Sequence, residues 1–168
     1  LVPANRELAG AEVELVDLPN REVRLKGALE RVAQEYDFIL IDCPPSLSLL
    51  TVNALTAAQH VLIPMQCEYY ALEGLSDLVG TIKRVRAHLN PGLDIAGLVR
   101  TMYDARNTLA LQVSAQLEEH FGDKVYRTIV PRNVRLAEAP SYGTPAVVWD
   151  AESKGAQSAR PGAAPLTA

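Results

Sequence analysis

Tyr36-Asp37-Phe38-Ile39-Leu40-Ile41-Asp42-Cys43-Pro44-Pro45-Ser46 is the stretch on which the reading of this chain turns. Four consecutive apolar residues, Phe38 to Ile41, read as a strand buried on both faces, the pattern of a parallel sheet covered by helices. Just upstream, Leu25, Leu29, Val32 and Tyr36 fall at helical spacing, with Asn20 placed to cap that helix. A helix feeding a two-sided apolar strand is half of a repeating α/β unit. The carboxylate that ends the strand, Asp42, then stands at the rim of the sheet, where such folds bind their ligands. Pro44 and Pro45 stiffen the loop beyond it, and Ser46 is placed to cap the next helix.

Working outward, the alternation continues. The spacing predicts a helix over 47–58, a strand over 60–65, and a long helix over 72–89 that Asn90-Pro91-Gly92 stops. A strand over 94–102, a helix over 108–120, a Gly122-Asp123 turn and a strand over 124–130 complete the series. The fold class expected is α/β, with a mostly parallel sheet flanked by helices. Rim segments 42–46, 66–70, 101–107 and 131–135 are the places to seek function. Within 66–70, Glu68, Tyr69 and Tyr70 are expected to open a helix, the two tyrosines serving as packing residues. Residues 1–157 form the regular part. Residues 158–168, rich in proline and small side chains, are expected to be a flexible tail.

Composition excludes several alternatives. The chain has 168 residues, 48% hydrophobic and 21% charged, which argues against disorder. Its apolar runs are far shorter than the roughly 20 residues of a membrane span, so no membrane partner is expected. Nothing resembles a secretion signal, and the expected compartment is the cytoplasm. Cys43 and Cys67 make neither a disulfide framework nor a zinc pattern, and His60, His88 and His120 are scattered, without a triad. The chain starts at Leu1 with no lead-in and reads as a piece of a longer one. Charge is uneven: residues 1–60 hold 5 Lys/Arg against 9 Asp/Glu, whereas residues 100–135 hold 6 against 4, within a net charge of −4. The second stretch is either a solvated face or a polyanion footprint.

Phe38 to Asp42 also matches the Walker B pattern, whose acid holds Mg²⁺ through water while the metal neutralises phosphates. The same pattern occurs where an acid merely caps the next turn. The adjoining residues narrow the choice, because Asp42-Cys43-Pro44-Pro45-Ser46 resembles the switch II segment of the ParA/MinD group of ATPases. The likeness extends through Gln66-Cys67-Glu68-Tyr69-Tyr70-Ala71-Leu72-Glu73-Gly74-Leu75, Thr101-Met102-Tyr103-Asp104-Ala105-Arg106 and Pro131-Arg132-Asn133-Val134-Arg135-Leu136-Ala137-Glu138-Ala139-Pro140-Ser141-Tyr142-Gly143. Residues 1–157 are similar to the chromosomal, Soj-like ParA partition ATPases.

That resemblance implies a P-loop NTPase-like fold and an ATPase that uses ATP and Mg²⁺ and forms a homodimer when ATP-bound. It implies non-specific DNA binding, a nucleoid-associated location in the cytoplasm, and stimulation by a ParB-like centromere-binding protein. Asp42 takes the Mg²⁺ role and Pro44, Pro45 and Ser46 the switch role. Pro131 and Asn133 match the loop that receives adenine, and Arg106 and Arg135 match DNA-facing positions. Lysines and arginines there would neutralise phosphates and release counterions without reading bases.

The sequence departs from the family at its front. A P-loop needs a glycine-rich turn followed by Gly-Lys-Ser/Thr, and the 168 residues contain no Gly-Gly or Gly-Lys pair. In the family that loop and its central strand lie upstream of the segment matching Leu1. The chain alone is therefore expected neither to bind ATP tightly nor to hydrolyse it, and Phe38–Ile41 is expected to present an unpaired apolar edge. Two alternatives remain: a catalytically silent DNA-binding or regulatory module, and a MinD-like ATPase, which would need a basic amphipathic terminal helix that residues 158–168 do not offer.

Overall fold

The computed structural model describes residues 2–5, 7–44 and 46–160, and the chain divides into two compact units, Leu1–Val61 with Ser76–Asp94 and Leu62–Leu75 with Ile95–Ala168. The first is helical. Its α1 (Glu7–Leu15) begins where the Glu7 N–H donates to Asn5 Oδ1 at 2.9 Å. Further along, α2 (Arg24–Leu29) and α3 (Leu49–Ala57) are tied together by the buried Asn53. Asn53 Oδ1 accepts the Leu25 N–H at 3.1 Å, while its Nδ2 donates to Arg21 O at 2.8 Å and to Leu49 O at 3.0 Å. A buried carboxamide with its partners made costs little; stripped of them it would carry its full desolvation penalty.

Helix α4 (Ala71–His88) gives this unit Ile82 and Val85, both buried. Beyond its end Asn90 Nδ2 donates to Leu55 O at 3.1 Å and Ala58 O at 2.7 Å, satisfying carbonyls that the end of α3 leaves open.

The second unit holds the sheet, with strands β1 (His60–Gln66), β2 (Asp94–Tyr103) and β3 (Val125–Pro131) in the order β1-β2-β3. β2 and β3 run parallel, pairing Leu98 with Val125, Arg100 with Ile129 and Tyr103 with Pro131. The connection between them is α5 (Thr108–Phe121), capped by Asn107, whose Oδ1 accepts the Leu109 N–H at 3.0 Å. Ala110, Val113 and Leu117 lie on one face of α5 and are buried. Leu98 and Leu117 are wholly buried, and truncating either to alanine would cost about 2–5 kcal/mol.

Arg100 pins α5 to β3. Buried in the middle of β2, it donates to Ser114 Oγ at 2.7 Å, to Glu118 Oε1, and to the Tyr126 carbonyl at 3.0 Å. Gly97 is required by close approach, since a Cβ there would lie 2.5 Å from the Tyr126 ring and 2.6 Å from the Lys124 carbonyl oxygen. The register shifts twice along β2/β3, and within the second shift Met102 takes a left-handed φ of 53°. After β3 come α6 (Val134–Glu138), a 3-10 turn at Ala139–Tyr142, α7 (Ala146–Trp149) and α8 (Lys154–Ser158). The Tyr142 and Trp149 rings stack, centroids 3.8 Å apart and planes 17° from parallel. No helix among the described residues is long and apolar enough to cross a membrane.

Several expectations need correction. Phe38–Ile41 forms no strand; Phe38 and Leu40 are almost fully exposed. An apolar run becomes a strand only where neighbours take up its backbone groups, and among the described residues it has no ladder partner. The helix expected from Leu25 to Tyr36 stops at Leu29 and resumes only as a 3-10 turn at Ala33–Glu35. Asn20 does not cap it: its backbone is left-handed, φ 56°, and its side chain makes no capping bond. Ser46 is not a cap either, because α3 begins after Ser48, and Ser46 instead accepts the Thr51 hydroxyl through its carbonyl at 2.7 Å. Tyr69 and Tyr70 precede α4 rather than open it, are exposed, and touch each other edge to face at 5.3 Å rather than packing inward. Ser158, placed in the tail by sequence, is the buried last residue of α8; Pro45 and residues 161–168 lie outside the described residues.

Candidate functional site

The carboxyl ends of β2 and β3 bring two of the predicted segments together. The Arg132 N–H donates to the Tyr103 carbonyl at 3.2 Å, so the loop after β2, with Asp104 and Arg106, lies beside the end of β3 at Pro131 and the loop that follows it, with Asn133. Asn133 caps α6: its Oδ1 accepts the Arg135 N–H at 2.8 Å, which leaves the carboxamide nitrogen outside the cap. Pro131 is the last residue of β3.

Both arginines of interest carry acidic partners. Arg106 meets Asp104 through two bonds, Nε to Oδ1 at 3.0 Å and Nη2 to Oδ2 at 2.8 Å. That guanidinium hydrogen bond, helped by the Arg106 backbone N–H, lowers the Asp104 carboxyl to about 2. Arg135 reaches Glu138 Oε2 from Nη1 at 2.9 Å and Asp150 Oδ2 from Nε at 3.3 Å, joining α6 to the residue after α7.

In the first unit, Asp42 and Pro44 are exposed in a segment without regular structure, and Ser46 lies just beyond them, also exposed. Asp42 stands as a single carboxylate: among the described residues no group of three or more His, Cys, Asp or Glu is placed to hold a metal ion. One exposed carboxylate suits a contact to Mg²⁺ through water, which asks for only an acceptor oxygen, and does not suit direct ligation by the protein alone.

A cleft of about 360 Å³ also opens in the second unit, between Tyr69, Leu72 and Glu73 on one side and Leu109, Gln112 and Gln116 of α5 on the other. Cys67, the residue after β1, is buried, and burial pushes its thiol up, partly offset by the charge of Arg100.

Sequence reasoning missed Asp104 and Asp150. The first had a signal, since an acid two residues before an arginine, just past a strand, can turn back on the backbone N–H of that arginine. Asp150 had none, being brought to Arg135 only by the fold.

A family profile described as an AAA domain matches residues 1–95. The sporulation initiation inhibitor protein Soj of Bacillus subtilis is 59% identical over 157 residues, 94% of this chain and 62% of that protein. The chain belongs to the ParA/Soj family of partitioning ATPases. Another member, the chromosome partitioning protein ParA of Myxococcus xanthus, is 56% identical over 158 residues, again 94% of this chain and 56% of that protein. The chain thus spans about three fifths of the length of the ParA/Soj relatives it matches. Among solved structures, the cobyrinic acid a,c-diamide synthase of Mycobacterium smegmatis with bound ATP analogue and magnesium superposes with a TM-score of 0.73. It is 36% identical, over 86% of this chain and 65% of that one.

Proposed function

We propose that this chain carries the switch, adenine-side and DNA-facing segments of a ParA/Soj-type chromosome-partitioning ATPase, whose hydrolysis belongs to the complete protein. In that protein Asp42 would hold Mg²⁺ through water, and Pro44, Pro45 and Ser46 would belong to the loop that senses the phosphates. Bound Mg²⁺ would neutralise charge on the transferring phosphoryl group. Pro131 and Asn133 line the adenine side, with the Asn133 carboxamide nitrogen available to a base. An ATP-bound homodimer binds DNA without sequence preference through Arg106 and Arg135, and a ParB-like centromere-binding protein stimulates it on the nucleoid.

The observation that carries this reading is the adjacency of the Asp104–Arg106 and Pro131–Arg135 loops, through the Arg132 to Tyr103 hydrogen bond, at the ligand-bearing end of a parallel pair. Support also comes from the names and identities of the relatives. The other reading is a DNA-binding module without enzyme activity. The test is Mg²⁺-dependent ATP hydrolysis and ATP-dependent DNA binding by the full-length protein and its Asp42→Ala variant. Loss of at least about 100-fold in turnover for the variant is expected, on the scale of removing a group that stabilises transferring charge. DNA binding that ignores ATP in the unaltered protein would select the silent module instead.

A further inference from the structure

One edge of the guanidinium proposed to meet DNA is already occupied. Asp104 holds Arg106 by both carboxylate oxygens, at 3.0 and 2.8 Å, in the fork-to-fork arrangement that a phosphodiester would adopt on the same group. The carboxylate takes the Nε–Nη2 edge, so a phosphate seeking that edge must displace it, while one on the remaining Nη1 side meets the carboxylate's charge close by. The loop builds this clamp locally, because Asp104 Oδ1 also accepts the Arg106 backbone N–H at 3.0 Å, a turn that sets both side chains together.

The clamp is openable. The Arg106 side chain is 90% exposed and that of Asp104 39%, and ion pairs open to solvent in this way are weak enough to exchange partners. Arg132, whose positive charge also acts on Asp104, offers the displaced carboxylate a second cation. Arg135 is built differently, since its two acids bind together α6 and the end of α7, a structural bond rather than a local latch.

We propose that Asp104 competes with phosphate for the Arg106 guanidinium and so restrains the affinity of this rim for a phosphodiester backbone. The proposal rests on the reading of Arg106 as a DNA-facing residue. Arg106 grips a phosphate through its Nε–Nη2 edge only when the phosphate displaces the internal carboxylate, which keeps a single protomer's grip weak and favours binding that engages several such loops at once.

The experiment is fluorescence anisotropy of random-sequence duplex DNA with the full-length protein, ATP and Mg²⁺, across a salt series. Asp104→Asn keeps an oxygen for the turn and removes the charge; it is expected to tighten binding by about threefold to tenfold at moderate salt. Asp104→Ser, which also keeps a turn-forming oxygen, should tighten it in the same direction, and thermal unfolding of both variants verifies that they fold. Arg106→Ala should weaken binding, and Asp104→Asn combined with Arg106→Ala should bind as Arg106→Ala alone. Unchanged or weaker binding by folded Asp104→Asn, alongside a weakened Arg106→Ala, overturns the competition while leaving the DNA-facing reading intact. An Arg106→Ala protein that binds DNA normally removes that reading and the competition with it.

Discussion

At Asp104 one carboxylate makes three hydrogen bonds to a single neighbour, and its titration is the direct reading of that arrangement. The group is expected to titrate near 2 by carboxyl-carbon NMR, and Arg106→Ala should return it towards the ordinary value of about 3.9. The depressed native value sets the sign. Whatever the pair adds to stability is fully present above the unfolded-state value and is lost as the pH falls through about 2. DNA binding governed by this clamp is therefore insensitive to pH near neutrality. Residue-scale legibility depended on distance along the chain: Glu138 stands one helical turn from Arg135, whereas Asp150 is supplied by the fold.

At the scale of elements, Gly97 and Gly80 form a contrasting pair. A Cβ at Gly97 in β2 would press on the Lys124 carbonyl and the Tyr126 ring, while one at Gly80 in α4 meets nothing within 4 Å. Gly97→Ala should lower unfolding stability by about 1–3 kcal/mol, and Gly80→Ala should raise it by about 0.5–1 kcal/mol, both measured by urea denaturation. The elements from α3 to β3 were legible because their apolar positions alternate between helical and strand periods and because Asn90-Pro91-Gly92 interrupts them unmistakably. Phe38–Ile41 was not, since an apolar run reports that burial is favourable and says nothing of whether a neighbouring strand is present to pair with it. The close approach at Gly97 was equally invisible, because it arises between strands far apart in sequence. The rim itself was anticipated, since the ends of β2 and β3 can be read from the strand pattern, while the carboxylates facing its arginines needed the three-dimensional arrangement.

For the molecule as a whole, the exposed apolar residues Phe38 and Leu40 are the surface expected to drive self-association. Leu40 is 94% exposed, so replacing it should disturb little packing. Leu40→Lys in the 168-residue chain is expected to reduce concentration-dependent light scattering while leaving the melting temperature within about 2 °C, as for a surface substitution. Unchanged scattering would show that this segment drives no self-association. The chain's single tryptophan gives a further handle on these measurements. Trp149 lies flat against Tyr142, next to the Asp150 that holds Arg135, and its enclosed Nε1 meets no acceptor among the described residues. Its emission is therefore expected to serve as an intrinsic optical gauge of that one corner, moving to the red when opening of the Arg135–Asp150 contact lets water reach Nε1.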